Sequence, residues 1–350
     1  MDYIMLKDVC AINMGQSPDS SNYNDDGVGL PFFQGNADFG ERYPVARKWC
    51  SVPTKIAKPE DILISVRAPI GALNYAREEC CIGRGLAALT PDKSKVSPEF
   101  IFWFLKAKNI ELTSKGTGST FKAIGRSVLE ETRLPNIPLT AQQEYSQVLE
   151  NIYAIIQSRK MQLQKLDELV KARFVEMFYG QGYPILKWND VFNTTTGKLD
   201  SNAAVENGEY PFFTCSKEVL RINKYAFEQE ALLLAGNNAA GKYDVKYCYG
   251  KFNAYQRTYV LGLKGNWSYR LFQYQLEDKL AYLQQQSLGG LTKYLTLKIL
   301  GELKFIIPPK DKQEEFESFV TQADKSKVAI QKVLDEAQLL FDSLMQKYFG

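Results

Sequence analysis

The chain has 350 residues, 45% of them hydrophobic, with 43 basic against 40 acidic side chains, a net charge of +3 and no histidine. This length suggests more than one core. The missing histidine excludes His-dependent nucleophilic triads and Cys/His zinc sites, and removes the commonest general base.

The N-terminal stretch MDYIMLKDVCAINMG has no basic region followed by an apolar core, so no secretory signal is expected. No run of about 18 apolar residues is present, so no membrane span is expected. The six cysteines (Cys10, Cys50, Cys80, Cys81, Cys215, Cys248) form no CxxC pair. They read as reduced, mostly buried thiols of a cytoplasmic protein. With charge so nearly balanced, any affinity for nucleic acid must come from local patches.

Residues 1–139 read as a globular unit of short strands bounded by Gly, Pro and Asn, with amphipathic helices among them. The apolar strand Ile62-Leu63-Ile64 runs into Ser65-Val66-Arg67-Ala68-Pro69-Ile70-Gly71. Ile82-Gly83-Arg84-Gly85 then sets an arginine between two glycines. An aromatic helix, PEFIFWFLKAKNIEL from Pro98, is followed by the Gly-rich turn KGTGSTFKAIGR from Lys115 and a short extended segment, Leu134 to Leu139.

Residues 140–180 are predicted as one long helix. Thr140 and Gln143 form its capping box, and Gly180 stops it. Tyr145, Leu149, Ile152, Ile156, Leu163, Leu166, Val170 and Met177 make a heptad seam, with Arg159 and Arg173 in the two remaining places. Such a seam belongs to a helix lying against another helix. The predicted partner is 310–350, capped by Asp311 and Glu314, with Phe319, Ala323, Ile330, Val333, Ala337, Leu340 and Leu344 as its seam.

Residues 181–309 repeat the first unit in order and spacing. Leu6-Lys7 is echoed by Leu186-Lys187, Pro31-Phe32-Phe33 by Pro211-Phe212-Phe213, and Ile62–Ile64 with Gly71 by Leu232–Leu234 with Gly241. The aromatic helix returns as WSYRLFQYQLEDKLAYL from Trp267, the Gly-rich turn as LGGLTKYLTL, and the extended lead as Phe305 to Pro309. A period this long is a tandem domain duplication. The fold class is therefore α+β, two mixed α/β units separated by two long helices, a spacer suited to reading two separated marks on an extended polymer.

Gly236 to Lys242 fits GxxxxGK, but Tyr243 follows where a phosphate loop needs Ser or Thr and a helix. A glycine turn between strands is the expected structure. An amino-methylating site needs Asn or Asp before two prolines and an aromatic, yet Pro308-Pro309 lies between Ile307 and Lys310. Polar and basic groups gather instead on the Gly-rich turns. In the first unit they are Arg67, Arg84, Lys115, Ser119, Thr120, Lys122 and Arg126. In the second they are Asn237, Asn238, Lys242, Lys251, Tyr255, Gln256, Arg257, Thr292 and Lys293. Arg, Asn and Gln can bond base edges bidentately, while Lys, Ser and Thr suit phosphates. The glycines beside Arg84 would let backbone approach a phosphate. Solvated loop cations are the plainer reading, and Arg257 also suits a structural ion pair.

DILISVRAPIGALNYAREECCIGRGLAAL, LLLAGNNAAGKYDVKYCYGKFNAYQRTYVL and IPLTAQQE before a long helix together resemble the specificity subunit of type I restriction–modification systems. The resemblance covers essentially the whole chain, although Leu134-Pro135-Asn136-Ile137-Pro138-Leu139 departs from the family's fuller proline-rich lead. It implies two target-recognition domains, each reading half of a split site in double-stranded DNA. It further implies that the long helices pair as an antiparallel coiled coil and dock methyltransferase subunits, which a restriction/translocase subunit joins. S-adenosylmethionine would then be held by the partner, leaving this chain without catalytic residues, cofactor or metal. Two other classes stay open at this point: a protein-binding scaffold of two globular modules, and a carboxylate-based nucleic-acid enzyme.

Overall fold

The computed structural model describes residues 2–118, 122–239 and 241–350. Its contacts divide the chain into two compact units, Met1–Met161 with Gln331–Gly350, and Gln162–Ile330. Each unit therefore takes half of each long helix.

Unit 1 carries β1 (Tyr3–Met5), β2 (Cys10–Met14), β3 (Tyr23–Asn24), β4 (Leu30–Phe33), β5 (Trp49–Cys50) and β6 (Ile56–Ala57). These are followed by β7 (Ile62–Ser65), β8 (Leu73–Tyr75), β9 (Cys80–Ile82) and β10 (Leu86–Pro91). Helices α1 (Pro98–Ala107), α2 (Asn109–Ser114) and α3 (Arg126–Glu130) and strand β11 (Arg133–Pro135) lead into the long α4 (Leu139–Phe178). One sheet has the order β2-β10-β7-β8 and a second β3-β5-β4-β9-β6, while β1 pairs with β11. All four residues of β7 are buried. That is why it reads as a continuous apolar run and not as an alternation. Leu63 packs there with Phe33, Ile82, Leu86 and Ala88.

Unit 2 contains β12 (Ile185–Lys187), α5 (Trp188–Val191), β13 (Phe192–Thr196), β14 (Tyr210–Phe213), β15 (Leu220–Ile222) and β16 (Phe227–Ala235). After them come β17 (Asn237–Asn238), β18 (Val245–Ala254), β19 (Thr258–Leu263), α6 (Tyr269–Asp278) and α7 (Leu280–Gln286). The chain ends with β20 (Lys293–Tyr294), α8 (Leu297–Gly301), β21 (Lys304–Ile306) and the second long helix, α9 (Lys310–Phe349). The main sheet has the order β13-β19-β16-β18-β14-β15. Its core joins Leu232, Leu234 and Leu261 to Trp188, Phe272 and Phe305.

The duplication is written in the hydrogen bonds. In unit 1, β4 runs parallel to β9, with Phe32 opposite Cys81. In unit 2, β14 runs parallel to β18, with Phe212 opposite Asn253. The echo of Leu6-Lys7, however, falls two residues later than the sequence suggests. Leu6 N donates to Thr132 O and Trp188 N to Leu303 O, so the buried Leu6 corresponds to Trp188 and not to Leu186. Each aromatic helix is also interrupted, at Lys108 between α1 and α2 and at Lys279 between α6 and α7. Gly71 and Gly241, matched by spacing, both adopt positive φ, +85° and +67°, the conformation that favours glycine.

The long helices begin differently from the expected capping boxes. Helix α4 starts at Leu139, where Gln142 N donates to Pro138 O, and α9 starts at Lys310, where Gln313 N donates to Pro309 O. Thr140 and Asp311 thus lie inside the first turns. The buried glutamines take another part. Gln142 Oε1 accepts from Ser97 N at 2.9 Å, and Gln313 Oε1 accepts from Ser268 N at 2.9 Å. Ser97 and Ser268 are the N-caps of α1 and α6, whose hydroxyls accept from Phe100 N and Leu271 N. Each glutamine thereby ties its long helix to the aromatic helix of its unit.

The seam of α4 lies where the heptad places it, with Leu149, Ile152, Ile156, Val170 and Met177 buried. The seam of α9 is shifted. Val333 and Leu340 are 39% and 51% exposed, whereas Phe316, Val320, Ala323, Leu334 and Phe341 are buried. The phase that wins, 316-320-323-327-330-334-337-341-344-348, is an unbroken alternation of four and three. It accepts a lysine at 327 because Lys327 Nζ pairs with Asp167 at 2.5 Å. The pairing is antiparallel. In unit 1 the Tyr145 and Tyr348 rings stack 3.9 Å apart and Tyr153 meets Phe341; in unit 2 Phe174 meets Phe316.

Candidate nucleic-acid interface

In unit 1 two of the sequence candidates open into one cleft. Arg67 leaves the end of β7 and Arg84 leaves the end of β9. Val66 N donates to Gly85 O at 2.9 Å, fastening the two turns together. Their side chains, with Ser17, Gln34 and Asn36, line a cleft of about 440 Å³ with no carboxylate in its wall among the described residues. Both arginines are exposed, and neither makes a salt bridge among the described residues. The flanking glycines have a packing role. A Cβ on Gly85 would stand 2.2 Å from Gln34 O, and one on Gly83 would stand 3.2 Å from Gln34 Cα. Gly83 N donates to Phe33 O at 2.8 Å. The glycines thus let β4 come close, which brings Gln34 and Asn36 to the arginines. Lys122 joins this frame: Ala68 N donates to Lys122 O at 3.0 Å and Ile124 N to Val66 O at 2.9 Å.

Unit 2 builds the same frame. Gly236 N donates to Arg257 O at 2.8 Å, Tyr255 N to Phe213 O at 2.9 Å and Leu295 N to Gly236 O at 2.8 Å. Asn237 and Asn238 pair with Tyr294 and Lys293. By these bonds Arg67 corresponds to Asn237, Arg84 to Gln256 and Lys122 to Lys293. Lys242 N donates to Asn238 Oδ1 at 3.2 Å, and β18 follows without a helix, as a turn between strands requires. Thr292 is exposed beside Lys293.

Other candidates are differently placed. Lys115 pairs with Glu111 at 2.7 Å and Arg126 with Glu130 at 2.7 Å, each at helical i,i+4 spacing. Lys251 lies 3.9 Å from Glu228 and over the Tyr225 ring. Arg257 makes no ion pair among the described residues; its carbonyl, which accepts from Gly236 N, does the structural work. Ser119 and Thr120 lie outside the described residues. Gln34, Asn36 and Ser17 escape a reading of the sequence, since nothing local marks them. The signal was the repeat itself, because Gln34 follows Pro31-Phe32-Phe33 as Thr214 follows Pro211-Phe212-Phe213.

A larger cleft in unit 1, of about 750 Å³, mixes Arg42, Arg77 and Lys93 with Glu60 and Glu99. Its cations are largely matched: Lys93 pairs with Glu60 at 2.6 Å and Arg42 pairs with Glu150. Three of the buried cysteines are poor nucleophiles. Burial pushes the Cys10 and Cys80 thiols up to about 12 and that of Cys81 up to about 11, so they stay protonated at neutral pH.

A model of the type I restriction modification DNA specificity domain matches residues 1–168 and again 182–339. The chain belongs to this family. Each copy of the specificity domain contains one of the two frames described above. Over 160 residues, 46% of this chain and 38% of the relative, it is 41% identical to a putative type I restriction enzyme MjaX specificity subunit of Methanocaldococcus jannaschii. It is 33% identical to the type I restriction enzyme EcoDI specificity subunit of Escherichia coli over 151 residues, 41% of this chain and 32% of that one. The chain thus spans well under half the length of these curated relatives. The crystal structure of a type I restriction–modification system S subunit from M. genitalium shares the fold over 100% of this chain and 96% of that chain, with a TM-score of 0.68 at 15% identity.

Proposed function

We propose that this chain is the non-catalytic DNA-specificity subunit of a type I restriction–modification assembly. Two target-recognition domains, residues 1–139 and 181–309, read the halves of a bipartite site in double-stranded DNA. The helical regions 140–180 and 310–350 dock methyltransferase subunits, which a restriction/translocase subunit joins. The methyltransferase partner holds S-adenosylmethionine for adenine methylation, and this chain supplies the choice of site. The observation that carries the reading is the cleft of Arg67 and Arg84, free of carboxylates, on a frame that is built again in the second unit. Cationic and amide groups on tight turns suit phosphate contact and base readout, and they require no catalytic group in this chain.

The test is co-expression with the cognate methyltransferase subunits, followed by genome-wide mapping of methylated adenines. A two-part motif separated by unspecified bases is expected. Methylation without sequence preference, or without need of this chain, would sink the reading.

A further inference from the structure

Resting on that DNA-reading role, the matched frames assign work to individual side chains. Three positions correspond between the units through the same backbone bonds: 67 with 237, 84 with 256, and 122 with 293. Two of the three change chemistry and one does not. The first pair is Arg against Asn, the second Arg against Gln, and the third is Lys in both units.

Arginine offers a planar fork to guanine O6 and N7, whereas the amides of Asn and Gln match adenine N6 and N7. Lysine is a point charge suited to phosphate, which carries no sequence information. We propose that positions 67/237 and 84/256 are the base-reading positions of the two domains, and that Lys122 and Lys293 are their phosphate anchors. On this assignment the half-site read by the first domain is contacted at guanines and that read by the second at adenines.

The availability of the side chains supports this. Arg67, Arg84 and Gln256 are exposed, and Asn237 is half-buried at the start of the short β17. Neither arginine is tied down by a carboxylate among the described residues. Among the described residues the Gln256 side chain makes one long bond, 3.4 Å to Asp200 Oδ2. Both reading turns are held through their main chains, by Val66 N to Gly85 O in one unit and Gly236 N to Arg257 O in the other. Exchanging the side chains therefore leaves the frame intact.

The experiment exchanges readers within the full chain, co-expressed with its methyltransferase subunits. Arg67→Asn with Arg84→Gln should convert contacted guanines to adenines in one half of the methylated motif and leave the other half alone. Asn237→Arg with Gln256→Arg should do the converse in the other half. In a second measurement, 7-deazaguanine at the contacted positions removes N7, one of the two acceptors of the fork, and should weaken binding of the wild-type complex by part of the about 5- to 150-fold that a whole bidentate pair contributes. The Arg67→Asn/Arg84→Gln complex should not respond to it. Lys122→Ala and Lys293→Ala should weaken binding to all sequences alike and lower the salt slope by about one each.

If both exchanged complexes methylate the original motif, the reader assignment is overturned while the DNA-reading role stands. If an exchanged chain does not fold, indifference of the wild-type complex to 7-deazaguanine overturns the assignment equally. A wild-type complex with no sequence preference would remove the role beneath it.

Discussion

At the scale of single residues, the buried glutamines show how one side chain can tie two elements together. Gln142 is 4% exposed and Gln313 2%. Besides accepting from the capping serine, Gln142 Nε2 donates to Ile137 O at 2.9 Å, and Gln313 Nε2 donates to Pro308 O at 2.8 Å. Truncation leaves an amide and a carbonyl without a partner in a buried or part-buried setting, and leaving a buried group unpaired costs about 1–3 kcal/mol. Gln142→Ala and Gln313→Ala should each lower the unfolding free energy by that order, read as a lower urea midpoint at unchanged m-value. A midpoint unaffected by either change would show that water or a neighbour replaces the glutamine.

At the scale of elements, the register of α9 separates two readings of one sequence. Phe341 is 6% exposed and meets the Trp103 and Tyr153 rings, whereas the adjacent Leu340 is 51% exposed. Phe341→Ala should destabilise by about 3–5 kcal/mol, and Leu340→Ala by no more than about 0.5 kcal/mol. Thermal or urea unfolding of both variants checks the register, and the reverse ranking would restore the seam through Val333 and Leu340. The sequence left this choice open because apolar residues occupy both phases at 333–334 and 340–341. Only the partner surface decides which phase is covered.

At the scale of the whole molecule, the duplication predicts that the two units are separable in function. Replacing residues 1–139 by the same unit of a homologue should change one half of the methylated motif and preserve the other. If both halves changed together, the two-reader model would fall. The helices carry a second prediction. A heptad inserted into both α4 and α9 keeps every seam residue facing its partner and lengthens each helix by about 10 Å. With B-DNA rising ~3.4 Å per base pair, the unspecified spacer should grow by roughly three base pairs. Two inserted residues should do more harm, since they turn the downstream seam by about 200°. A heptad-extended complex that methylates the original spacing would show that the helices do not set it.

Much of this protein is determined by order along the chain. Heptad spacing marked α4, the buried runs at 62–64 and 232–234 marked the central strands β7 and β16, and recurrence of those runs exposed the duplication. Such features survive in one dimension because a seam, a buried strand and a left-handed glycine each depend on local spacing or local backbone. Tertiary structure alone decided the rest. It set the phase of α9, where two apolar rows compete. Lys115 and Arg126 meet carboxylates one helical turn away, a local match, but only the tertiary structure shows Arg67 and Arg84 without a carboxylate partner among the described residues. It also brought Gln34 and Asn36 beside Arg67 and Arg84, because Gly83 and Gly85 leave room for β4 to close on the turn after β9. Proximity between residues fifty positions apart is set by strand pairing across the sheets, and no pattern within either segment encodes it.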